Sequence, residues 1–236
     1  MALARAHPAA RFTLVGYPAI LALARRFIPV EAIHSIDVPP WSRLFQGAQK
    51  ELDFDAAFVW MRSPIVAENL RASGMTDVRY CDPFPVDGGH AATHLLNTLG
   101  LSAPELPDVW KPQSGRILIH PGSGSPGKCW PYFEEFASQV TNVEAIIGPC
   151  EEDFQGRCPQ LRGLDLTEVA DELRQCRMFI GNDSGITHLA AYLGCPTVAL
   201  FGPTDPRVWG PLGRRVEILW KSSLADIGIE EVKQRI

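Results

Sequence analysis

Residues 177–206 read RMFIGNDSGITHLAAYLGCPTVALFGPTDP, and this stretch decides the fold class. The apolar runs at 177–181 and 196–201 predict two buried strands. Between them, the polar residues 182–185 predict a tight turn and residues 186–193 a short helix. The turn therefore lies where the carboxyl end of a strand meets the N-terminus of a helix. Such a junction offers free backbone N–H groups and the positive end of a helix dipole to an anion such as phosphate.

Strand and helix patterns alternate along the chain, which favours parallel sheets covered by helices. Residues 102–115 carry three prolines and a Ser-Gly pair, and they are the best linker candidate. We predict an α/β protein with two Rossmann-like domains, residues 1–108 and 113–236, that face a cleft. The chain opens in a helical pattern over 2–6, so we expect the first domain to lack the strand that usually starts such a fold. The other predicted helices lie near 18–27, 42–52, 64–73, 90–100, 131–140, 151–156, 167–176 and 229–235.

The composition indicates a soluble globular protein. Hydrophobic residues make up 46% of the chain and the net charge is −5, so no basic field attracts nucleic acid. The six cysteines form no CxxC pair and no zinc spacing, and Cys176 and Cys195 have the pattern of core residues in a reducing cytosol. No apolar run is long enough to span a bilayer. We therefore expect a cytoplasmic protein without a bound metal.

A glycine-rich loop at residues 120–131, HPGSGSPGKCWP, follows one predicted strand and precedes a helix. Its small residues let the backbone approach an anion closely, and Lys128 can place a positive charge on phosphate. The spacing from Gly122 to Lys128 matches the front of a P-loop. However, Cys129 stands where a P-loop needs Ser or Thr to hold magnesium, which argues against an NTPase. The structural alternative is a glycine-rich turn with a solvated lysine.

Two other loops carry acidic residues at strand ends. The sequence GPCEED at 148–153 offers a carboxylate that can accept hydrogen bonds from a ribose diol, as in dinucleotide folds, or that only favours the start of a helix. In the turn at 182–185, Asp183 would repel a phosphate, so a sugar hydroxyl suits it better; alternatively it caps the helix. His188 is either a ligand residue or a packed residue beneath the turn.

Together these loops resemble the nucleotide-sugar-binding half of glycosyltransferase family 9, the ADP-heptose:lipopolysaccharide heptosyltransferases. The order and spacing agree over about 120 residues. The matching segments are 120–123 with 128–131, 148–152, 182–185 with His188, and 201–204. The family has the GT-B fold, so the resemblance implies two Rossmann-like domains on either side of a cleft.

The resemblance implies Lys128 and Asp183 as the catalytic residues, with Lys128 offsetting charge on the departing ADP and Asp183 meeting heptose hydroxyls. Glu152 would hold the adenosine ribose, while Ser184 and Gly185 would bind phosphate through backbone N–H groups. The full set of implied donor-binding residues is Ser123, Gly124, Glu152, Ser184, Gly185, Thr187 and His188.

The implied reaction moves heptose from ADP-heptose, or a similar nucleotide sugar, to the lipopolysaccharide inner core with inversion. We expect no cofactor and no metal, because a lysine and a helix N-terminus already neutralise the diphosphate. Membrane contact, at the inner face of the inner membrane, would be at most peripheral. In the family a Gly-Asp loop carries the proposed general base, and residues 1–236 contain no Gly-Asp dipeptide. Two alternatives therefore stay open: a catalytically silent nucleotide-sugar binder, and a GT-B-like sugar-nucleotide epimerase.

Overall fold

The computed structural model describes residues 1–85 and 88–236, and the chain divides into two compact units, Met1–Pro104 and Glu105–Ile236. The first unit contains α1 (Ala2–Ala6), β1 (Phe12–Gly16), α2 (Pro18–Leu21), β2 (Val30–Ser35), β3 (Ala56–Trp60), α3 (Ile65–Ala72), β4 (Asp77–Cys81) and α4 (Ala91–Asn97). The second contains β5 (Ile117–His120), α5 (Phe133–Gln139), β6 (Val143–Ile147), β7 (Gln160–Arg162), α6 (Leu166–Gln175), β8 (Met178–Asn182), α7 (Gly185–Tyr192), β9 (Thr197–Phe201), α8 (Pro206–Trp209), β10 (Val216–Trp220) and α9 (Ile229–Lys233). Short 3₁₀ turns lie at Ala22–Arg26, Trp41–Phe45, Pro126–Lys128 and Leu224–Asp226.

The first unit holds two separate two-stranded parallel sheets, β1–β2 and β3–β4. Its core lies around α3, whose apolar face buries Val66, Ala67 and Leu70 beside Trp41 and Leu44. Each strand therefore has a hydrogen-bonded neighbour on one side only.

The second unit is built on one six-stranded parallel sheet with the order β10–β9–β8–β5–β6–β7. The central strands β8 and β9 are buried at every position, as expected for parallel strands covered on both faces. Helix α6 begins with a capping box, in which the Asp165 carboxylate accepts from the backbone N–H of Glu168 and the Glu168 carboxylate accepts from that of Asp165. After α7 the chain turns at Gly194, whose φ of 87° favours glycine.

The strand–turn–helix–strand pattern predicted for residues 177–206 is confirmed by β8, α7 and β9. The helix predicted near 151–156 was wrong, because this segment forms turns and the Glu151 carboxylate accepts the Gly148 N–H. The helix predicted near 42–52 is reduced to the 3₁₀ turn at Trp41–Phe45. Both segments contain or end at a glycine and are short, so little helical stability is available to them.

The segment after Pro104 packs on the second unit. The backbone N–H groups of Val109, Lys111 and Gln113 donate to carbonyls at the ends of α6 and α7, and the Trp110 indole donates to the Cys176 carbonyl. Much of the proline-rich stretch predicted as a linker is thus held in place. Within the described residues, no helix combines the length and the hydropathy needed to cross a membrane.

Candidate functional site

The strand order of the second sheet indicates where a ligand would bind. From β5 the chain moves outward to β6 and β7, whereas β8, β9 and β10 extend in the opposite direction. The order therefore reverses between β5 and β8, which pair from Ile117 with Met178 to His120 with Gly181. In parallel α/β sheets, ligands bind outside the carboxyl ends of the strands at such a point. The loops that follow β5 and β8 both begin there.

Asn182, the last residue of β8, joins the two loops. Its side chain is fully buried, and Oδ1 accepts from the Trp130 backbone N–H at 2.9 Å. Its Nδ2 donates to the Pro121 carbonyl at 2.8 Å and to the Gly122 carbonyl at 3.2 Å. One amide thus holds both ends of the glycine-rich loop, because only a carboxamide offers an acceptor and two donors at one position.

Asp183 is the electrostatic centre of the site. Its Oδ2 accepts from Lys128 Nζ and from Thr204 Oγ1, both at 2.7 Å, and its side chain is 10% exposed. Burial opposes ionisation of this carboxyl, but interactions with His188, Lys128 and Thr204 outweigh it and lower its pKa to about 2. Asp183 is therefore ionised at neutral pH and fixes the ammonium group of Lys128.

The first turn of α7 completes the site. Ser184 is the N-cap, and its hydroxyl accepts from the Thr187 N–H at 3.4 Å, while Gly185 is exposed at the helix start. Thr187 is fully buried, and its hydroxyl donates to the Asn182 carbonyl at 2.5 Å. His188 Nε2 lies 3.9 Å from Asp183 Oδ1, too far for a hydrogen bond, with its side chain 43% exposed. The backbone N–H groups of this turn thus stand next to a Lys–Asp pair.

In the acidic loop after β6, the carboxylate that points inward belongs to Glu151 and not to Glu152, the residue that the motif indicated. The Glu151 carboxylate accepts from the Gly148 N–H at 2.9 Å and lies so close to Gly122 that a Cβ atom there would overlap it. The side chain of Glu152 is exposed, and its carbonyl accepts from Arg162 at 3.3 Å. Two glycines therefore make room for the Glu151 carboxylate among the loops.

Most of the predicted site residues converge at this edge of the sheet. Ser123 donates from Oγ to the Asp183 carbonyl at 2.6 Å, which ties the two loops together a second time, and Gly124 is exposed at the loop tip. The motifs by themselves indicated no role for Asn182, Thr204 or Glu151. Asn182 and Thr204 stand within the matched segments, but nothing in the sequence shows that their side chains face Trp130 and Asp183. Among residues 1–85 and 88–236, no group of three or more His, Cys, Asp or Glu side chains could hold a metal ion.

Comparison with known proteins agrees with this geometry. The family model described as glycosyltransferase family 9 (heptosyltransferase) matches residues 92–234, more than half of the chain and the whole of the sheet that carries the site. The chain belongs to glycosyltransferase family 9. The family resemblance predicted from the loop motifs is confirmed.

Two curated heptosyltransferases match parts of the chain. A lipooligosaccharide heptosyltransferase 2 of Haemophilus ducreyi is 37% identical over 99 residues, covering 41% of this chain and 27% of the relative. A lipopolysaccharide heptosyltransferase 1 of Pseudomonas aeruginosa is 45% identical over 129 residues, covering 49% and 36%. The chain thus spans about a third of the length of the curated relatives it matches.

Solved structures of heptosyltransferases share the fold. The E. coli ADP-heptose LPS heptosyltransferase II is 20% identical, with a TM-score of 0.73 over 99% of this chain and 90% of that chain. The E. coli heptosyltransferase WaaC with ADP is 17% identical, with a TM-score of 0.74 over 99% and 91%. The α/β, GT-B fold class predicted from the sequence is confirmed.

Proposed function

We propose that this family 9 protein is a glycosyltransferase that moves heptose from ADP-heptose to the inner core of lipopolysaccharide, with inversion at the transferred carbon. The observation that carries the proposal is the Lys128–Asp183 ion pair beside the first turn of α7, at the reversal point of the sheet. A cation and free backbone N–H groups side by side suit a diphosphate, and a neighbouring carboxylate suits sugar hydroxyls. One E. coli protein of similar fold, the heptosyltransferase WaaC, was solved both with ADP and with ADP-2-deoxy-2-fluoro heptose.

In this proposal Lys128 and the N-terminus of α7 stabilise the departing diphosphate. Negative charge accumulates on the leaving ADP as the glycosidic bond breaks, so positive groups fixed beforehand lower the barrier. Asp183 holds Lys128 in place before the donor arrives, and its Oδ1, which accepts no bond from Lys128 or Thr204, can accept from heptose hydroxyls. Ser184 and Gly185 offer backbone N–H groups to phosphate.

Burial divides the remaining candidates into two groups. We assign Thr187 to holding the turn, since its hydroxyl is used by the Asn182 carbonyl and no ligand can reach it. Gly124 and Ser123 line the approach to the diphosphate, and His188 lies at the exposed side of Asp183. These residues would set the orientation of the donor.

We assign the ribose contact to Glu151 in place of Glu152. A carboxylate that holds a diol must face the ligand crevice, and Glu151 lies among the loops against Gly122 and Gly148. Glu152, the residue indicated by the motif, has an exposed side chain. The two neighbours form a matched pair, so Glu151→Gln should weaken ADP binding while Glu152→Gln leaves the affinity unchanged. A reversed order would restore Glu152.

Calorimetric titration with ADP tests the proposed donor site. Lys128→Ala removes a charge-assisted contact with phosphate worth about 1.5–3 kcal/mol, so the Kd should rise about 10-fold to 100-fold. Lys111→Ala is the control, because Lys111 is an exposed lysine of the same unit that contacts α6 through its backbone. Equal affinities for ADP in both variants would remove Lys128 from the site.

A transfer assay tests the proposed reaction. The full chain is incubated with ADP-heptose and an inner-core acceptor that lacks the heptose, and ADP release and product are measured together. Product formation that depends on the acceptor supports transfer. Tight ADP binding without product would favour the nucleotide-sugar binder, and consumption of the donor without acceptor would favour an epimerase.

A further inference from the structure

His120, the last residue of β5, is a buried titratable side chain to which the proposed function gives no role. It is 6% exposed and pairs in register with Gly181 of β8, so it lies where the carboxyl ends of the two strands meet at the reversal point of the sheet. Buried polar atoms in proteins are almost always hydrogen-bonded. Each of the two ring nitrogens of His120 therefore needs an explanation.

The Nδ1 atom of His120 replaces a backbone donor that the sequence removes. The Ile117 N–H donates to the Asn142 carbonyl, and in a parallel ladder the donors of β5 follow at every second residue. The donor opposite the Ile146 carbonyl would then be residue 121, which is a proline and has no N–H. His120 Nδ1 lies 2.9 Å from that carbonyl oxygen. Because a carbonyl can only accept, Nδ1 carries the proton, and Nε2 of the neutral ring is an acceptor.

The Nε2 atom of His120 opens towards the carboxyl edge of the sheet. Within the described residues, the ring makes no hydrogen bond other than the one to Ile146. No fully buried side-chain nitrogen or oxygen of the described chain lacks a partner, so Nε2 must reach solvent. The neighbours Ile119, Ile146 and Gly181 are themselves buried in the sheet. The small exposed part of His120 therefore faces the edge where the loops after β5, β6 and β8 begin.

The Glu151 carboxylate is a second acceptor near His120. Its Oε2 accepts from the Gly148 N–H, whereas its Oε1, which lies against Gly122, accepts from no described residue. The carboxylate is close enough to the imidazole to act on it electrostatically, but burial outweighs this effect and lowers the pKa of His120, which keeps the ring neutral. Neither Nε2 nor Oε1 can then donate to the other. Two neighbouring acceptors of this kind suit a ligand that offers two donors.

We propose that His120 Nε2 accepts a hydrogen bond from one hydroxyl of the donor's ribose while Glu151 accepts from the other, so that the pair selects ribonucleotides over deoxyribonucleotides. The inference rests on the proposed function, because it assumes that ADP binds at this edge of the sheet. A vicinal diol supplies two donors side by side, whereas a phosphate supplies none and would be repelled by the carboxylate. A site built to bond a hydroxyl discriminates strongly against the analogue that lacks it.

Two substitutions in the full chain separate the roles of the two ring nitrogens. In His120→Asn the short amide can still donate to the Ile146 carbonyl but leaves no acceptor at the position of Nε2. In His120→Gln the longer amide places an oxygen near that position and gives up the bond to Ile146. By calorimetric titration, His120→Asn should raise the Kd for ADP about 3-fold to 10-fold, and His120→Gln should raise it less. Thermal unfolding should show the opposite order, with His120→Gln the less stable variant.

Altered ligands identify the group that His120 bonds. The loss of affinity in His120→Asn should disappear with either 2′-deoxy-ADP or 3′-deoxy-ADP, because one of these ligands lacks the hydroxyl that His120 binds. An equal loss with ADP and with both deoxy ligands would overturn the proposal. A loss that disappears only with the diphosphate of purine riboside, which lacks the amino group of adenine, would overturn it in favour of a contact with the base.

The same titrations distinguish this inference from the proposed donor site. If ADP binds and Lys128→Ala weakens it while His120→Asn does not, the donor site stands and the role of His120 is refuted. If the unaltered chain binds no ADP, the donor site and the ribose contact are both refuted. Affinities of the two His120 variants that simply follow their thermal stabilities would show that His120 only completes the sheet.

Discussion

Replacing Asn182 with alanine should destabilise the second unit more than any other single change at the candidate site. The substitution removes an acceptor for the Trp130 N–H and two donors for the Pro121 and Gly122 carbonyls. Asn182 is fully buried and Trp130 is 2% exposed, so water does not easily replace the bond between them. The glycine-rich loop would also lose its anchor at both ends.

The magnitude follows from these three bonds. An unsatisfied buried group costs about 1–3 kcal/mol, and the bond to the Pro121 carbonyl is only partly buried, so we expect a loss of about 3–4 kcal/mol. Ser123→Ala is the matched control, because Ser123 makes a single hydrogen bond across the same loops. Its loss should cost only about 1 kcal/mol.

Urea unfolding followed by tryptophan fluorescence measures both variants. Four of the six tryptophans lie in the second unit, and Trp130 is at the loop itself, so the emission reports mainly on the unit that carries the loop. The midpoint should fall much further for Asn182→Ala than for Ser123→Ala, with similar m-values. A cost for Asn182→Ala equal to that of Ser123→Ala would refute the view that this amide holds the loop. ADP affinity, measured below the unfolding transition, should fall for Asn182→Ala as the loop loosens.

Three further predictions concern the same unit. The pKa of Asp183, about 2, lies below the ordinary value of 3.8, so the ionised carboxylate stabilises the fold above pH 3.8 and this contribution, about 1–2 kcal/mol, is lost as the pH falls towards 2. Acid titration of Asp183→Asn should lack that part of the pH dependence, and an unchanged profile would contradict the assignment. Gly122→Ala should displace the Glu151 carboxylate, which should lower the thermal stability and weaken ADP binding. Adding Glu151→Ala should relieve the overlap and restore the thermal unfolding temperature. If the double variant does not recover, the clash lies elsewhere. The hydrogen bond to Cys176 and burial raise the pKa of the Cys195 thiol. Because Cys176 and Cys195 are both buried, neither should react with a thiol reagent in the native state, whereas the exposed Cys150 should react at once. Rapid modification of Cys195 would argue against its burial.

The sequence alone predicted a large part of this protein. The pattern of polar and apolar residues predicted β8, α7 and β9 correctly. Two short apolar runs separated by a polar turn with good helix-capping residues are typical of a strand, a helix and a second strand. The spacing of Lys128 and Asp183 within the family motifs indicated the site before any geometry was known. The helix predicted from the local pattern near residues 151–156 does not form. This segment makes turns instead, and the Glu151 carboxylate accepts a hydrogen bond from the Gly148 N–H.

Only the tertiary structure decided which side chains meet. Lys128 and Asp183 are 55 residues apart, and they touch because the strand order reverses between β5 and β8 and brings two loops to one edge of the sheet. The choice between Glu151 and Glu152 and the role of Asn182 depend on contacts across loops, which no local pattern encodes. The pattern of apolar residues determines the local structure, because it acts between residues that are close in the chain. The site depends instead on how segments that are far apart in the chain pack together.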